Sequence, residues 1–208
     1  NNDGSYKSGV SISMSDILAM FVWIPRYSYT IGCYNGSSCL GYAYGNGNSS
    51  LSTTYPGAID IKFEQGTASE TLNGTYPIYT YSSSDTDEVR KSLRETHWYT
   101  HPAFTFGNQE LTGIWVGKFE MSGTATEPKI KPDSYTLTGK NVKTFFNIAR
   151  LFTTNSNYGL IGDAHMIKNE DWGAVAYLYQ SKYGKYGNFA YGANYKEIFN
   201  NNSSSFIT

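Results

Sequence analysis

Three stretches of this chain repeat apolar residues at helical spacing, and four others alternate or cluster as strands do. In His165–Gly184 (HMIKNEDWGAVAYLYQSKYG), Trp172, Val175, Ala176 and Tyr179 fall at i, i+3, i+4 and i+7, the stripe of an amphipathic helix. Asn169 reads as its N-cap. Glu170 and Asp171 put negative charge where the helix dipole favours it, and Lys182 followed by Gly184 reads as its stop. Gly173 costs about 1 kcal/mol against Ala inside a helix, which points to close packing by a neighbouring backbone. Asn141–Phe152 (NVKTFFNIARLF) predicts a second helix. Asn141 is its cap, and Val142, Phe145, Ile148, Ala149 and Phe152 form its buried stripe. Asp85–Thr96 predicts a shorter one, with Asp85 and Glu88 at capping-box spacing and Val89 and Leu93 on one face.

Ile17–Ile31 is the most apolar stretch. Its first half reads as a buried strand or a short helical turn. Its second half alternates, with Tyr27, Tyr29 and Ile31 on one face and Arg26, Ser28 and Thr30 on the other. Pro25 removes a ladder donor and marks an edge, a bulge or a strand start. Ile59–Glu64 and Gly113–Met121 read as strands, and Tyr76–Tyr81 as a short one. Gly32–Gly57, rich in Gly, Asn, Ser and Tyr, reads as a long excursion with one hairpin, and Ser122–Thr138 as a loop. The pattern divides the chain into a polar arm over 1–15, a folded domain over 16–187 and a loose segment over 188–208.

Composition narrows the function classes. The formal charge of −1 gives no electrostatic support to a nucleic-acid partner. No apolar run is long enough to span a membrane. Charged residues make up only 16%, and Tyr (19), Gly (21), Ser, Thr and Asn take their place. That mixture suits secreted, strand- and turn-rich proteins and adaptable binding surfaces, so the expected location is extracellular or at the cell surface. The opening NNDGSYKSG is not a signal peptide, so an export signal or anchor would have been removed or would lie outside this sequence. Cys33 and Cys39, flanking YNGSS, are spaced to close a small-loop disulfide in an oxidising compartment and read as free thiols in a cytosolic one.

Four pieces occur in an informative order. FVWIPRYSYTIG (Phe21–Gly32), GIWVGKFEMS (Gly113–Ser122), VKTFFNIAR (Val142–Arg150) and NEDWGAVAYLYQ (Asn169–Gln180) resemble the opening strand, a second strand and two helices of the formylglycine-generating-enzyme-like, or sulfatase-modifying-factor, family. The chain also resembles a set of exported, pilin-type surface proteins of gut Firmicutes, which carry VWIPRY, HPAFTFG, GIWVGKFE and a segment like His165–Leu178 in this order. The resemblance implies an α+β, C-type-lectin-like fold with short twisted antiparallel sheets, two main helices and long loops. The chain lacks that family's copper-binding cysteines and its G-N-V-W-E-W motif, which argues against formylglycine-generating activity. The missing C-terminal half implies that loops of this chain, a second chain or a cleaved fragment complete the fold.

Candidate chemistry is sparse. His97 and His101 stand at the i, i+4 spacing of zinc ligands on a helix, but Pro102 disfavours helix at His101 and no third ligand is identifiable. Packing against the Trp115 strand is the expected role of this cluster. Asp85–Glu88 lacks the spacing of a calcium loop. Glu120, Glu170 and Asp171 form no evident acid/base pair, and capping accounts for the last two. Trp23, Trp115 and Trp172 read as core, with two helices clasping a small sheet through Trp115 and Trp172. Neither a catalytic residue, a metal nor a cofactor is expected. The expected contact residues are Tyr34, Tyr42, Tyr44, Trp98, Tyr99, Tyr186 and Tyr191, in the loops over Tyr34–Tyr55 and Tyr183–Tyr195 and in the aromatic run after His97. The function expected is non-catalytic binding of a glycan or protein ligand. The alternative is a structural subunit of a pilus, filament or phage-derived assembly whose arms contact copies of itself.

Overall fold

A computed structural model of the chain describes residues 11–34, 59–69, 77–82, 84–181 and 183. It is a mixed α+β structure of small sheets with three α-helices among the described residues. The chain divides into two compact units, Asn1–Trp23 with Trp115–Lys168, and Ile24–Ile114 with Asn169–Thr208. The predicted hairpin over 32–57 falls largely outside the described residues, as do the arm over residues 1–10, the segment 188–208 and the pairing of Cys33 with Cys39.

The second unit is built on strand β2 (Tyr27–Tyr34). β3 (Ile59–Phe63) pairs antiparallel with one edge of β2, placing Tyr29 opposite Ile61. On the other edge β4 (Ile78–Tyr81) runs parallel, with Gly32 opposite Tyr79, and β5 (Tyr99–Thr100) runs antiparallel, with Ser28 opposite Thr100. The parallel β2–β4 ladder departs from the expected antiparallel sheets. A crossover through helix α1 (Asp87–Glu95) separates β4 from β5.

Side chains alternate across a strand, and directly paired residues share a face. The register therefore collects Tyr27, Tyr29, Ile31, Ile59 and Ile61 on one face. Helix α3 (Asn169–Gln180) packs there: the Tyr27 hydroxyl donates to the Ala174 carbonyl at 2.6 Å, and the Tyr29 and Tyr177 rings lie 4.9 Å apart. The opposite face carries Ser28, Thr30, Gly32, Asp60, Tyr79 and Tyr81. α1 covers it by polar contacts and has no fully buried residue. Arg90 lies 5.2 Å over the Tyr81 ring, and Arg94 pairs with Asp60 at 3.5 Å. A Cβ at Gly32 would stand 2.9 Å from the Tyr79 hydroxyl, so a side chain there would displace the Tyr79 ring.

The polar face ends at a buried ion pair. Arg26 is 1% exposed and the Glu64 side chain 0%. Nε of Arg26 donates to Glu64 Oε2 at 2.6 Å and to the Ala68 carbonyl at 3.1 Å. Its Nη1 reaches the Phe104 and Leu111 carbonyls, both at 3.2 Å, and pairs with Glu110 at 2.7 Å. Glu64 also accepts from the Thr100 hydroxyl at 2.6 Å. The cation is thereby tied to the strand next to it and to the segment running from the 3-10 turn Pro102–Phe104 through β6 (Thr105–Phe106) and β7 (Gln109–Glu110).

Strands β1 (Phe21–Pro25) and β8 (Gly113–Gly117) pair with each other. The first unit adds the β9–β10 pair (Ser122–Gly123, Pro128–Lys129) inside the segment expected to be a plain loop, and helix α2 (Val142–Thr154). Asn141 caps α2 as expected, its side chain accepting from the Thr144 N–H at 2.9 Å. Ile148, Ala149 and Phe152 are buried, whereas Val142 is 73% exposed at the first turn. Phe152 packs edge-on against Phe21 at 5.8 Å.

Three expectations need correction. Trp115 is not core: it is 66% exposed and lies 5.1 Å from Trp23, itself partly exposed. The clasp through Trp115 is therefore absent. The stripe of α3 is rotated: Asp171 and Ala174 are buried, while Trp172, Val175, Ala176 and Tyr179 are only half-buried. The α1 cap is Thr86, whose side chain accepts from the Val89 N–H, while Asp85 accepts from the Ser82 N–H at 2.6 Å.

Removing one member of a buried ion pair strands the other charge and costs about 3–5 kcal/mol. Arg26→Met is expected to lose that much in urea denaturation. The Arg26→Met, Glu64→Leu double variant should lose less, because the one carboxylate left without its cation, Glu110, is partly exposed.

Candidate functional site

In the second unit a cleft of about 390 Å³ wraps around β3. Asp60 and Lys62 come from the polar face of the strand, Ile61 and Phe63 from the apolar one. Arg94 and Glu95 close α1, Trp98 follows three residues later, and Tyr183 follows α3. Local structure fixes these positions. The Thr96 hydroxyl and the His97 ring both bond the Leu93 carbonyl, at 2.9 and 2.7 Å, which ends α1 and turns the chain toward Trp98. Ser181 is buried, donates to the Leu178 carbonyl at 2.7 Å and accepts the Tyr183 N–H at 3.2 Å. Tyr183 is set against Phe63 in this way, ring centroids 4.8 Å apart and planes inclined by 51°. Both rings are about half exposed, so the pair forms an open apolar corner.

The rest of the rim is charged and cross-braced. Arg94 stands 3.5 Å from Asp60 and 3.6 Å from Glu95. Glu95 also accepts from the Trp98 indole N–H at 3.2 Å, and the Lys62 ammonium lies 5.9 Å from the centre of the Trp98 ring. Behind the rim, burial first and the Asp60 charge second push the Tyr79 phenol up to about 12, so it stays a neutral donor. The arrangement offers stacking surface, hydroxyl-matching donors and acceptors, and fixed charge. At the end of α1 the Thr96 hydroxyl meets His97 Nδ1 at 3.0 Å, and both bond the Leu93 carbonyl.

The expected site residues fall in different places. Trp98 lines the cleft, though it is largely buried. Tyr99 packs edge-on against Tyr29 at 6.3 Å. Tyr34 ends β2, and its side chain lies outside the described residues, as do Tyr42, Tyr44, Tyr186 and Tyr191. Asp60, Lys62, Phe63, Arg94 and Glu95 were not anticipated. The alternation of IDIKF carried the signal for the first three, since it sends Asp60 and Lys62 to one face.

His97 and His101 do not share a helix. The chain between them is extended, which would separate them by about 13 Å. His101 is 3% exposed. It sits among the rings of Tyr27, Tyr29, Phe104 and Tyr177, at 5.1–6.1 Å for the Tyr27–Phe104 and His101–Phe104 pairs and 5.3–5.5 Å for the tyrosines. Its Nδ1 accepts the Ala103 N–H at 3.2 Å and caps the 3-10 turn, so the neutral ring carries its proton on Nε2. A Cβ at Gly173 would stand 3.4 Å from that Nε2, so the helix glycine faces an imidazole and not a backbone. Asp171 is buried in the first turn of α3, and its charge acts on the same ring. Among the described residues, no group of three or more His, Cys, Asp or Glu is placed to hold a metal ion. No helix among them is long and apolar enough to cross a membrane. Compared with known protein families, curated proteins and solved structures, the chain matches none.

Burial lowers the pKa of His101 from 6.5 to about 4, and the Asp171 charge only partly opposes this. The unfolded chain therefore binds a proton that the folded ring refuses. This contribution is fully present above about pH 6.5 and is lost as pH falls, by about 3 kcal/mol at pH 4. Urea unfolding across that range should show the slope. His101→Asn, whose Oδ1 can still accept the Ala103 N–H, should flatten it.

Proposed function

We propose that this chain is a non-catalytic recognition domain of lectin-like, sulfatase-modifying-factor-like fold, displayed outside the cell, that binds a glycan in the cleft around β3. The observation that carries the reading is the open Phe63–Tyr183 corner set beside alternating donors and acceptors. A sugar ring has an apolar C–H face and a rim of hydroxyls that both donate and accept. Such a ligand needs an aromatic surface and charged or polar partners within one small recess. The four motifs in family order and the mixed α+β build support the fold. The Tyr-, Gly- and Asn-rich, charge-poor composition supports an extracellular location. Phe63→Ala and Tyr183→Ala are expected to abolish binding on a glycan array. Each should cost only about 1 kcal/mol of folding stability, because each ring is about half exposed. Undiminished array binding by both variants would place the ligand elsewhere.

A second reading, a structural subunit of a pilus, filament or phage-derived assembly, draws on a different observation. The exposed Trp115 ring lies on Trp23, itself exposed. Contiguous exposed aromatics of this kind mark contact surfaces between proteins. In this reading the chain sediments as oligomers at micromolar concentration and Trp115→Ser returns it to monomer. A wild-type chain that stays monomeric removes the support.

A further inference from the structure

We infer that the cleft, taken as the glycan site proposed above, selects uncharged sugars over acidic ones. The inference rests on that reading and on the placement of four charges. Lys62 and Arg94 face Asp60 and Glu95 around one recess, so the formal charge of its described lining sums to zero. Arg94 stands 3.5 Å from Asp60 and 3.6 Å from Glu95. Its guanidinium is shared between them, so a ligand anion there competes with two carboxylates already in place. Its Nε is buried without a hydrogen-bond partner, which leaves the outer nitrogens to face the recess. Lys62 lies over the Trp98 ring, and the Trp98 indole N–H is already used by Glu95.

A ligand carboxylate or sulfate entering here would meet Lys62 but would also stand beside Asp60 and Glu95. Like charges at that range cancel the gain and discriminate against the acidic form. Hydroxyl groups meet no such penalty. They donate to the two carboxylates and accept from Lys62 and the outer guanidinium nitrogens, while the C–H face of the ring lies on Phe63 and Tyr183. The Tyr and Phe rings supply contact area that does not depend on ligand charge.

The test is a heteronuclear NMR titration of the intact chain with maltose, lactose and chitobiose, and separately with sialyllactose and digalacturonic acid. The expected result is that at least one neutral disaccharide shifts the resonances of Phe63, Trp98 and Tyr183. Its Kd should stay within about twofold between about 0.05 and 0.5 M salt, because no net charge is screened. The acidic sugars should bind about tenfold more weakly or not at all. Glu95→Lys, which gives the cleft a net positive charge, should reverse that order and make binding salt-sensitive. An acidic sugar bound about tenfold more tightly than any neutral one by the unaltered chain, with affinity falling as salt rises, would overturn the inference while leaving glycan recognition standing. If neither class shifts these resonances, the recognition reading itself fails and takes the inference with it.

Discussion

Arg26 is a cation placed where water does not reach, and the Ile24–Ile114 segment is arranged to answer its charge. Glu64 faces it directly, Glu110 closes from the side, and three carbonyls take further N–H groups. An isolated buried charge would cost several kcal/mol, so this shell is a condition for the sheet to form in this register. The shell also decides geometry. Glu64 follows β3 directly and Arg26 precedes β2, so their pairing extends the β2–β3 ladder by one step. The Glu64 N–H donating to the Arg26 carbonyl at 3.1 Å completes that step. Carbonyls of Phe104 and Leu111, which flank β6 and β7, are drawn to the same guanidinium, which holds the 3-10 turn and the His101 cap in place.

That constraint explains why the two faces of one sheet are so different. The face under α3 is made of Tyr and Ile and binds its helix by burial and ring packing. The face under α1 is Ser, Thr, Asp and Tyr, and it holds its helix by guanidinium contacts. A polar sheet face under a helix without one buried residue leaves charged side chains standing at the rim, and the cleft is built from them. Its chemistry follows from the fold: Arg94 pairs α1 with Asp60, and the rim presents mixed donors and acceptors.

Much of the secondary structure was legible because it is local. The Asn141 cap, the Ile148–Ala149–Phe152 stripe and the IDIKF alternation all act within a few residues. Features that depend on distant partners were not. Nothing near Arg26 in sequence announces Glu64, 38 positions away. Ring size alone misplaced the tryptophans: Trp115 reads as core and is exposed, whereas Trp98 sits in an aromatic-dense run that reads as contact surface and is mostly buried. The α3 stripe was misjudged because the sheet below offers tyrosine hydroxyls and an imidazole. Asp171 and the bare Gly173 therefore turn inward where Trp172 and Val175 were expected. The cleft was half legible, through Trp98 and the loop beginning at Tyr183, because its other wall comes from strand and helix residues that only the β2–β3 register brings together.

Native-state hydrogen exchange in rising urea tests most directly whether the Arg26 shell holds this unit together. The Glu64 amide donates to Arg26, the Arg26 amide to Thr112, the Leu111 amide to Phe104 and the His101 amide to Tyr27. If the buried pair is the constraint on which the rest depends, these four amides open only with the β2–β3 ladder, at one common free energy. Exchange of the Glu64 and Leu111 amides at a clearly lower free energy, with the ladder amides of Thr30 and Lys62 still protected, would contradict it.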